Sequence, residues 1–358
     1  MNKSTEVIHE DKELLKYLEP KFSWQLARIK LLVMLVTSLL KVQHIGFAKL
    51  SNSFRNNAKS DSSFRRIQRF FQKVSFDYDT IANLLFSLCP NKTSITIAID
   101  RTNWQFGKLD INIFMLSICC DGISFPLLWS MLSKRGNSDT LERIELLQRF
   151  INLFGKDCIK ALVADREFIG NKWFAYLQQE QIPYYIRVRE NMWFTKPTKE
   201  KIKISWLLQG YKINELYKHP KLLYIDKVLV YVEAMKIEKG ELLIIVSFKQ
   251  HNAIEYYRNR WQIETLFKAF KTKGFNIEDT HLNDIDRINK LIAVVAIAYA
   301  WAYKVGQYVH ENICAIKIKT HKRRAISLIK YGINFIASAI FKNNQQNLKI
   351  AFQVLSCT

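Results

Sequence analysis

Two aspartates stand out by where they fall. "SITIAID" (94–100) and "IKALVAD" closing at 165 are apolar, β-branched runs, each ended by a carboxylate, Asp100 and Asp165. In open α/β sheets, functional groups gather just beyond the carboxyl ends of strands, where a charged group stands on a rigid element without being buried. Two such carboxylates on neighbouring strands could hold Mg²⁺ or Mn²⁺ by oxygen ligation. A pair of such ions is the general means of clamping the attacking and leaving oxygens in phosphodiester displacement. The competing reading is that each aspartate caps the turn or helix that follows it. Asp110, Asp121, Asp139, Asp157 and Glu167 are rival acids, and Glu167, two residues past Asp165, is the strongest of them.

A third carboxylate is available in "YYRNRWQIETLFKAFK" (256–271). On a continuous helix advancing ~100° per residue, Tyr257, Arg260, Glu264 and Lys271 share a stripe ~60° wide. It borders an apolar stripe of Tyr256, Ile263, Leu266, Phe267 and Phe270, so it points along the edge of a core. Glu264 could complete a metal site there, with Tyr257, Arg260 and Lys271 offering charge and hydrogen bonds to phosphates. The same spacing suits an ordinary surface helix, because Arg260–Glu264 and Glu264–Lys268 are i,i+4 ion pairs.

The elements that would position these groups follow from pattern. Residues 12–42 read as helical, followed by a helix near Phe47–Phe54, a polar break, and "SSFRRIQRFFQK" capped by Ser62 or Ser63. That last helix would bury Phe64, Ile67 and Phe71 and present Arg65, Arg66 and Arg69, either to DNA or to solvent. From 94 the period changes to strands, two of them joined at Asp121–Gly122, a hairpin signal. Helices are expected over 138–155, 171–181, 252–273 and 284–311, and a strand over "PYYIRVRE". Strands and helices alternate as in an α/β layer. The domains expected are a helical region (1–92) that would bind DNA if its basic helix does, an α/β domain in two parts (93–192 and 252–310) that would carry any catalytic site, a β-rich insertion (193–251) and a basic helical tail (311–358).

Composition agrees with an anionic partner: 54 Lys and Arg against 32 acids give a net charge of +22 over 358 residues. Cys89, Cys119, Cys120, Cys158, Cys314 and Cys357 show no C-x-x-C spacing and mostly sit in apolar runs. They read as reduced core residues of a cytosolic protein. "MNKSTEVIHEDKELL" is not a signal peptide. The apolar runs 29–40 and 291–303 fall short of the ~20 residues of a bilayer span and read as buried helices, so no membrane partner is expected.

The spacing Tyr257-x2-Arg260-x3-Glu264-x6-Lys271 resembles the Y-x2-R-x3-E-x6-K signature of DDE transposases of bacterial insertion sequences, in the family named for insertion sequence four. "AIDRTNW" and "VADREF" are similar to that family's first and second catalytic aspartate segments, and "THKRRAISLIKYG" to its closing segment. The resemblance covers roughly residues 60–335. It implies an RNase H-like catalytic domain in which Asp100, Asp165 and Glu264 hold two Mg²⁺ (or Mn²⁺) ions. It also implies that Tyr257, Arg260 and Lys271 grip DNA, and that Arg187, or its near-equal Arg189, contacts phosphate. A tryptophan of the insertion, Trp193 or Trp206, would stack on a flipped base, or else serve the core. The implied partner is double-stranded DNA, bound at terminal inverted repeats and target by a homodimer. The implied setting is the bacterial cytoplasm, at the nucleoid.

Overall fold

The computed structural model describes residues 12–54, 58–249, 252–272, 274–320 and 322–356. The chain forms two compact units. One comprises Met1–Cys89, Trp104–Ile111 and Phe267–Thr358, the other Pro90–Asn103 and Asn112–Leu266.

The first unit begins with α1 (Lys12–Leu18) and α2 (Leu26–Val42), separated by a short 3₁₀ turn at Pro20, which cannot continue a helix. Most of α2 is buried, as its run of Ile, Leu and Val requires. α3 (Phe47–Ser53) packs on α4 (Ser60–Lys73), with Phe47 stacked on Phe71 at 5.1 Å. α4 starts at Ser60, before the expected caps. Ser63 is buried inside the helix, and Ser60 instead donates its hydroxyl to Asn52. Ile67, Phe70 and Phe71 face inward and Phe64 is half-buried, leaving Arg65 and Arg69 exposed and Arg66 half-exposed. α5 (Tyr78–Leu88) is capped by Asp77, which accepts from the Asp79 amide, and stops just before Pro90.

The second unit is built on a mixed sheet. β1 (Ile95–Phe106), β2 (Leu109–Cys120) and β3 (Ile123–Met131) form an antiparallel meander. Asp121 and Gly122, both at positive φ, make the turn between β2 and β3. α6 (Thr140–Phe154) carries a capping box between Asp139 and Glu142 and ends at Gly155. β4 (Ile159–Ala164) pairs parallel to β1, α7 (Asn171–Gln179) follows, and β5 (Tyr184–Val188) pairs parallel to β4. The short β6 (Phe194–Thr195), β7 (Lys201–Ile202), α8 (Ile204–Leu207), β8 (Leu216–Lys218) and β9 (Leu223–Ile225) lead into β10 (Val228–Lys236) and β11 (Leu242–Ser247). β11 pairs antiparallel with β5, so the strands of this segment extend the same sheet in the order β3-β2-β1-β4-β5-β11-β10-β9-β6-β7.

The expected helix over 252–273 is two helices, α9 (Ala253–Arg258) and α10 (Trp261–Lys271), broken at Asn259–Arg260. Asn259 explains the break. Its side chain donates to the Tyr256 carbonyl and accepts from Gln262, while the backbone closes i+3 turns through Arg260 and Ile263. Asparagine offers the chain such local bonds in place of a helical ladder.

α11 (Ile285–Asn312), α12 (Leu328–Phe341) and α13 (Gln345–Ser356) complete the first unit. α11 is long and apolar enough to cross a membrane, yet 89% of its most apolar window is buried within the protein. It packs on α2, α4, α5, α12 and α13. α11 and α12 approach so closely that a Cβ on Gly332 would meet the Ala302 carbonyl, and one on Gly306 the Leu328 carbonyl. The tail, expected to be helical, instead makes an antiparallel Ile318–Arg324 bridge, and its helix begins only at Leu328, capped by Ser327. Cys89, Cys119, Cys120, Cys158 and Cys314 form no disulfide; Cys314 is exposed, unlike the core residue expected, and Cys357 lies outside the described residues.

Candidate active site

Ile99, Ala164 and Ile186 align across β1, β4 and β5. The next position on each strand carries Asp100, Asp165 and Arg187. Asp165 is the first residue past β4, as the sequence suggests. Asp100 is not at a strand end: β1 runs on to Phe106, and Asp100 marks only the point where pairing with β4 stops. The six residues after it keep the polar face of a strand, which in sequence looks like a loop. Each aspartate accepts from the amide that follows it, Asp100 from Arg101 at 2.7 Å and Asp165 from Arg166 at 2.8 Å. The capping reading holds for Asp165, which caps the short turn Arg166–Phe168, but not for Asp100, which no turn or helix follows; each carboxylate is nonetheless fixed by one oxygen.

Arg260, at the break between α9 and α10, brings the acids together. Its Nη2 donates to Glu264 Oε1 at 2.7 Å and its Nη1 lies 3.6 Å from Asp100 Oδ2. Its Nε donates at 2.9 Å to the Tyr257 hydroxyl, which donates in turn to Asp165 Oδ1 at 3.2 Å. One guanidinium thus reaches two acids directly and the third through a phenol. Burial opposes the Arg260 charge, but Tyr257, Glu264 and Asp165 hold its pKa above the usual arginine value. Burial likewise pushes Tyr257 up to about 12, leaving it a neutral hydroxyl, and Arg187 is near enough to oppose that rise.

Asp100 is the group most affected by this setting. Burial raises its carboxyl from 3.8 to about 7 against the Arg101 amide and the Arg260 charge, with Glu167 and Asp165 adding like charge. Glu167, the rival acid, belongs to a supporting network. It pairs with Arg101 at 3.5 Å, and Arg101 also donates to Asn112 at 3.0 Å and Asn137 at 3.1 Å. Arg143, buried on α6, donates to the Glu167 carbonyl at 3.0 Å and the Ser138 carbonyl at 2.6 Å, bracing the turn after Asp165. Sequence reasoning passed over Arg101, Asn112 and Arg143. The faint signal was a basic residue directly after Asp100 and an arginine at a core-facing position of an amphipathic helix.

Of the other expected residues, Arg187 stays beside the acids and the rest lie elsewhere. Arg187 is engaged by Glu241 at 3.5 Å and the Leu242 carbonyl at 3.3 Å, while Arg189, past the strand end, is exposed. Lys271 belongs to the other unit, where it pairs with Glu278 at 2.7 Å and lies over the Trp104 ring. Trp193 and Trp206 are not core residues. They are 48% and 51% exposed, meet edge to face at 5.1 Å, and share the Lys203 ammonium over their rings. Arg65 and Arg69, also exposed, are on α4 of the helical unit.

Among the described residues no three acidic, histidine or cysteine groups stand close enough to hold a metal ion as placed. The donor set nonetheless fits a hard divalent cation: three carboxylates, one of them desolvated and crowded by like charge. What stands among them is the Arg260 guanidinium.

A mixed α/β sheet with acids just past its parallel pair and on a following helix is compatible with an RNase H-like phosphoryl-transfer domain. The sequence matches the family described as transposase DDE domain over residues 91–301, more than half of the chain, and the protein belongs to that family. No curated protein matches it. Among solved structures, endonuclease V from Bacillus subtilis aligns with 9% identity over 57% of this chain and 83% of its own, at a TM-score of 0.26.

Proposed function

We propose that the protein is a DNA transposase of the insertion-sequence-four type, which binds the terminal inverted repeats of its element and moves it by cut and paste. The observation that carries this reading is the convergence of Asp100, Asp165 and Glu264 on one arginine, inside a segment that belongs to the transposase DDE family. Asp100, Asp165 and Glu264 would hold the divalent ions. Such ions, Mg²⁺ or Mn²⁺, would activate water and then a DNA 3′-hydroxyl for in-line attack on phosphodiesters.

The protein's own groups would do the rest. The aspartates are oriented by the amides of Arg101 and Arg166, and the turn after Asp165 is braced by Arg143. Tyr257, neutral at working pH, positions Asp165 by a hydrogen bond. Arg187, Arg260 and Lys271 would bind phosphates, Arg65, Arg66 and Arg69 would lie along DNA, and the exposed Trp193–Trp206 pair would stack on an extruded base. We place the DNA-binding region in residues 1–92 and the catalytic residues in 93–192 and 252–310. Two protomers would synapse the element ends at the nucleoid of a bacterial cytoplasm.

The test uses DNA carrying the inverted repeats that flank the gene, with Mg²⁺ and the full-length protein. Cleavage at the element ends, and joining of pre-cut ends to a target plasmid, are expected. Cleavage without any joined product would instead make the protein a nuclease or resolvase on the same fold.

A further inference from the structure

We propose that Arg260 is the resident counter-ion of the acidic cluster, a positioning residue that holds the three carboxylates until a divalent cation displaces it. The inference rests on the metal-binding reading above and goes beyond it. In that reading Arg260 is a phosphate ligand; here it also occupies the cation position beforehand.

Four contacts carry the argument. Arg260 donates to Glu264 at 2.7 Å and to the Tyr257 hydroxyl at 2.9 Å, and sits 3.6 Å from Asp100, while Tyr257 passes the connection to Asp165 at 3.2 Å. Its side chain is only 13% exposed, so this is not a solvated surface pair. Mg²⁺ needs carboxylate oxygens at ~2.0–2.1 Å and a near-octahedral shell. Glu264 Oε1 and Asp100 Oδ2 cannot supply that while they face a guanidinium, and two positive charges packed together in a partly desolvated pocket repel strongly. Cation and guanidinium therefore compete for the same oxygens.

The backbone suits such an exchange. Arg260 lies between α9 and α10, at a turn closed by the Asn259 side chain, so its side chain can swing without disturbing a helical turn. Once released, its fork of donors is free for a DNA phosphate. Metal binding and phosphate binding are then coupled with positive sign, since either one removes the competitor of the other.

The test is Mn²⁺ binding to the full-length protein without DNA, measured by titration calorimetry for wild type and Arg260→Met. The proposal expects at least tenfold tighter Mn²⁺ binding by the variant. Equal or weaker binding, with wild type binding normally, overturns the inference and leaves the metal site standing. Absence of Mn²⁺ binding by both proteins overturns the metal reading and the inference together. Because Arg260→Met removes the charge from a buried cluster and could fold poorly, a second measurement uses wild type. With ¹⁵Nε-labelled arginine, the Arg260 Nε–H, assigned by its loss in Arg260→Lys, should exchange slowly without metal and lose that protection at saturating Mg²⁺. Protection that persists with Mg²⁺ bound would equally overturn the inference.

Discussion

Burial lifts the Asp100 carboxyl from 3.8 to about 7, so the folded chain holds that proton more tightly than the unfolded one. The favourable contribution of the protonated acid is complete below 3.8, is lost as pH rises toward 7, and stays lost above it. At ~1.36 kcal/mol per tenfold change in proton affinity, the rise from 3.8 to about 7 sets a ceiling of about 4 kcal/mol for this cost. Asp100→Asn, which imitates the neutral acid, should therefore melt higher than the metal-free wild type at pH 8, by roughly 2–4 kcal/mol. The gap should close as pH falls from 7 toward 4. A gap independent of pH would show that burial does not control this carboxyl. At this scale the position of Asp165 was legible in sequence, because the apolar run before it ends where β4 ends. Asp100 was legible as a residue but not in its place, since the outward face of the strand beyond it is polar. The partners of Arg260 were only half legible. Its i+4 contact to Glu264 follows from helical spacing, whereas Asp100 and Asp165 are distant in sequence and meet it only through the fold.

Among elements, α10 shows what periodicity can and cannot supply. A continuous wheel over 256–271 groups Tyr257, Arg260 and Glu264 correctly, although the helix is broken at Asn259–Arg260. The grouping survives because tight i+3 turns keep residues three and four apart on one side. The helix pair α11 and α12 offers the opposite case. Its apolar sequence announces burial, but nothing in composition announces how near the axes come. Gly306 and Gly332 permit that approach, each backbone lying where the other helix's carbonyls crowd in. Gly332→Ala should cost about 1–3 kcal/mol or more, as overpacking does when the obstacle is backbone, despite alanine's better helix propensity. Thermal unfolding checks this, and an unchanged or raised melting temperature would mean that the helices can part at no cost. Residues 193–251 were legible as β-rich, but neither the short β8 nor the register of β11 on β5 was, because pairing partners are set by tertiary contact.

For the whole molecule the dominant fact is charge. With +22 on 358 residues, phosphate contacts should govern DNA affinity, and each one formed releases condensed counterions. Binding of duplex DNA should thus weaken steeply with salt, by at least roughly a thousandfold between 50 and 200 mM if six or more phosphates are neutralised. A flat salt dependence in a fluorescence-anisotropy titration would contradict a DNA-binding role for the basic surface. Affinity alone does not distinguish a transposase from any basic protein, however, and the central claim concerns chemistry at three carboxylates. The most direct measurement is single-turnover cleavage of end-bearing DNA in Mg²⁺ by wild type and by Asp100→Asn, Asp165→Asn and Glu264→Gln, each tested beside its DNA affinity. Every variant should lose cleavage by at least about a thousandfold, as loss of a metal-ion clamp on the scissile phosphate requires, while still binding DNA. Cleavage at the wild-type rate by Glu264→Gln would contradict the account.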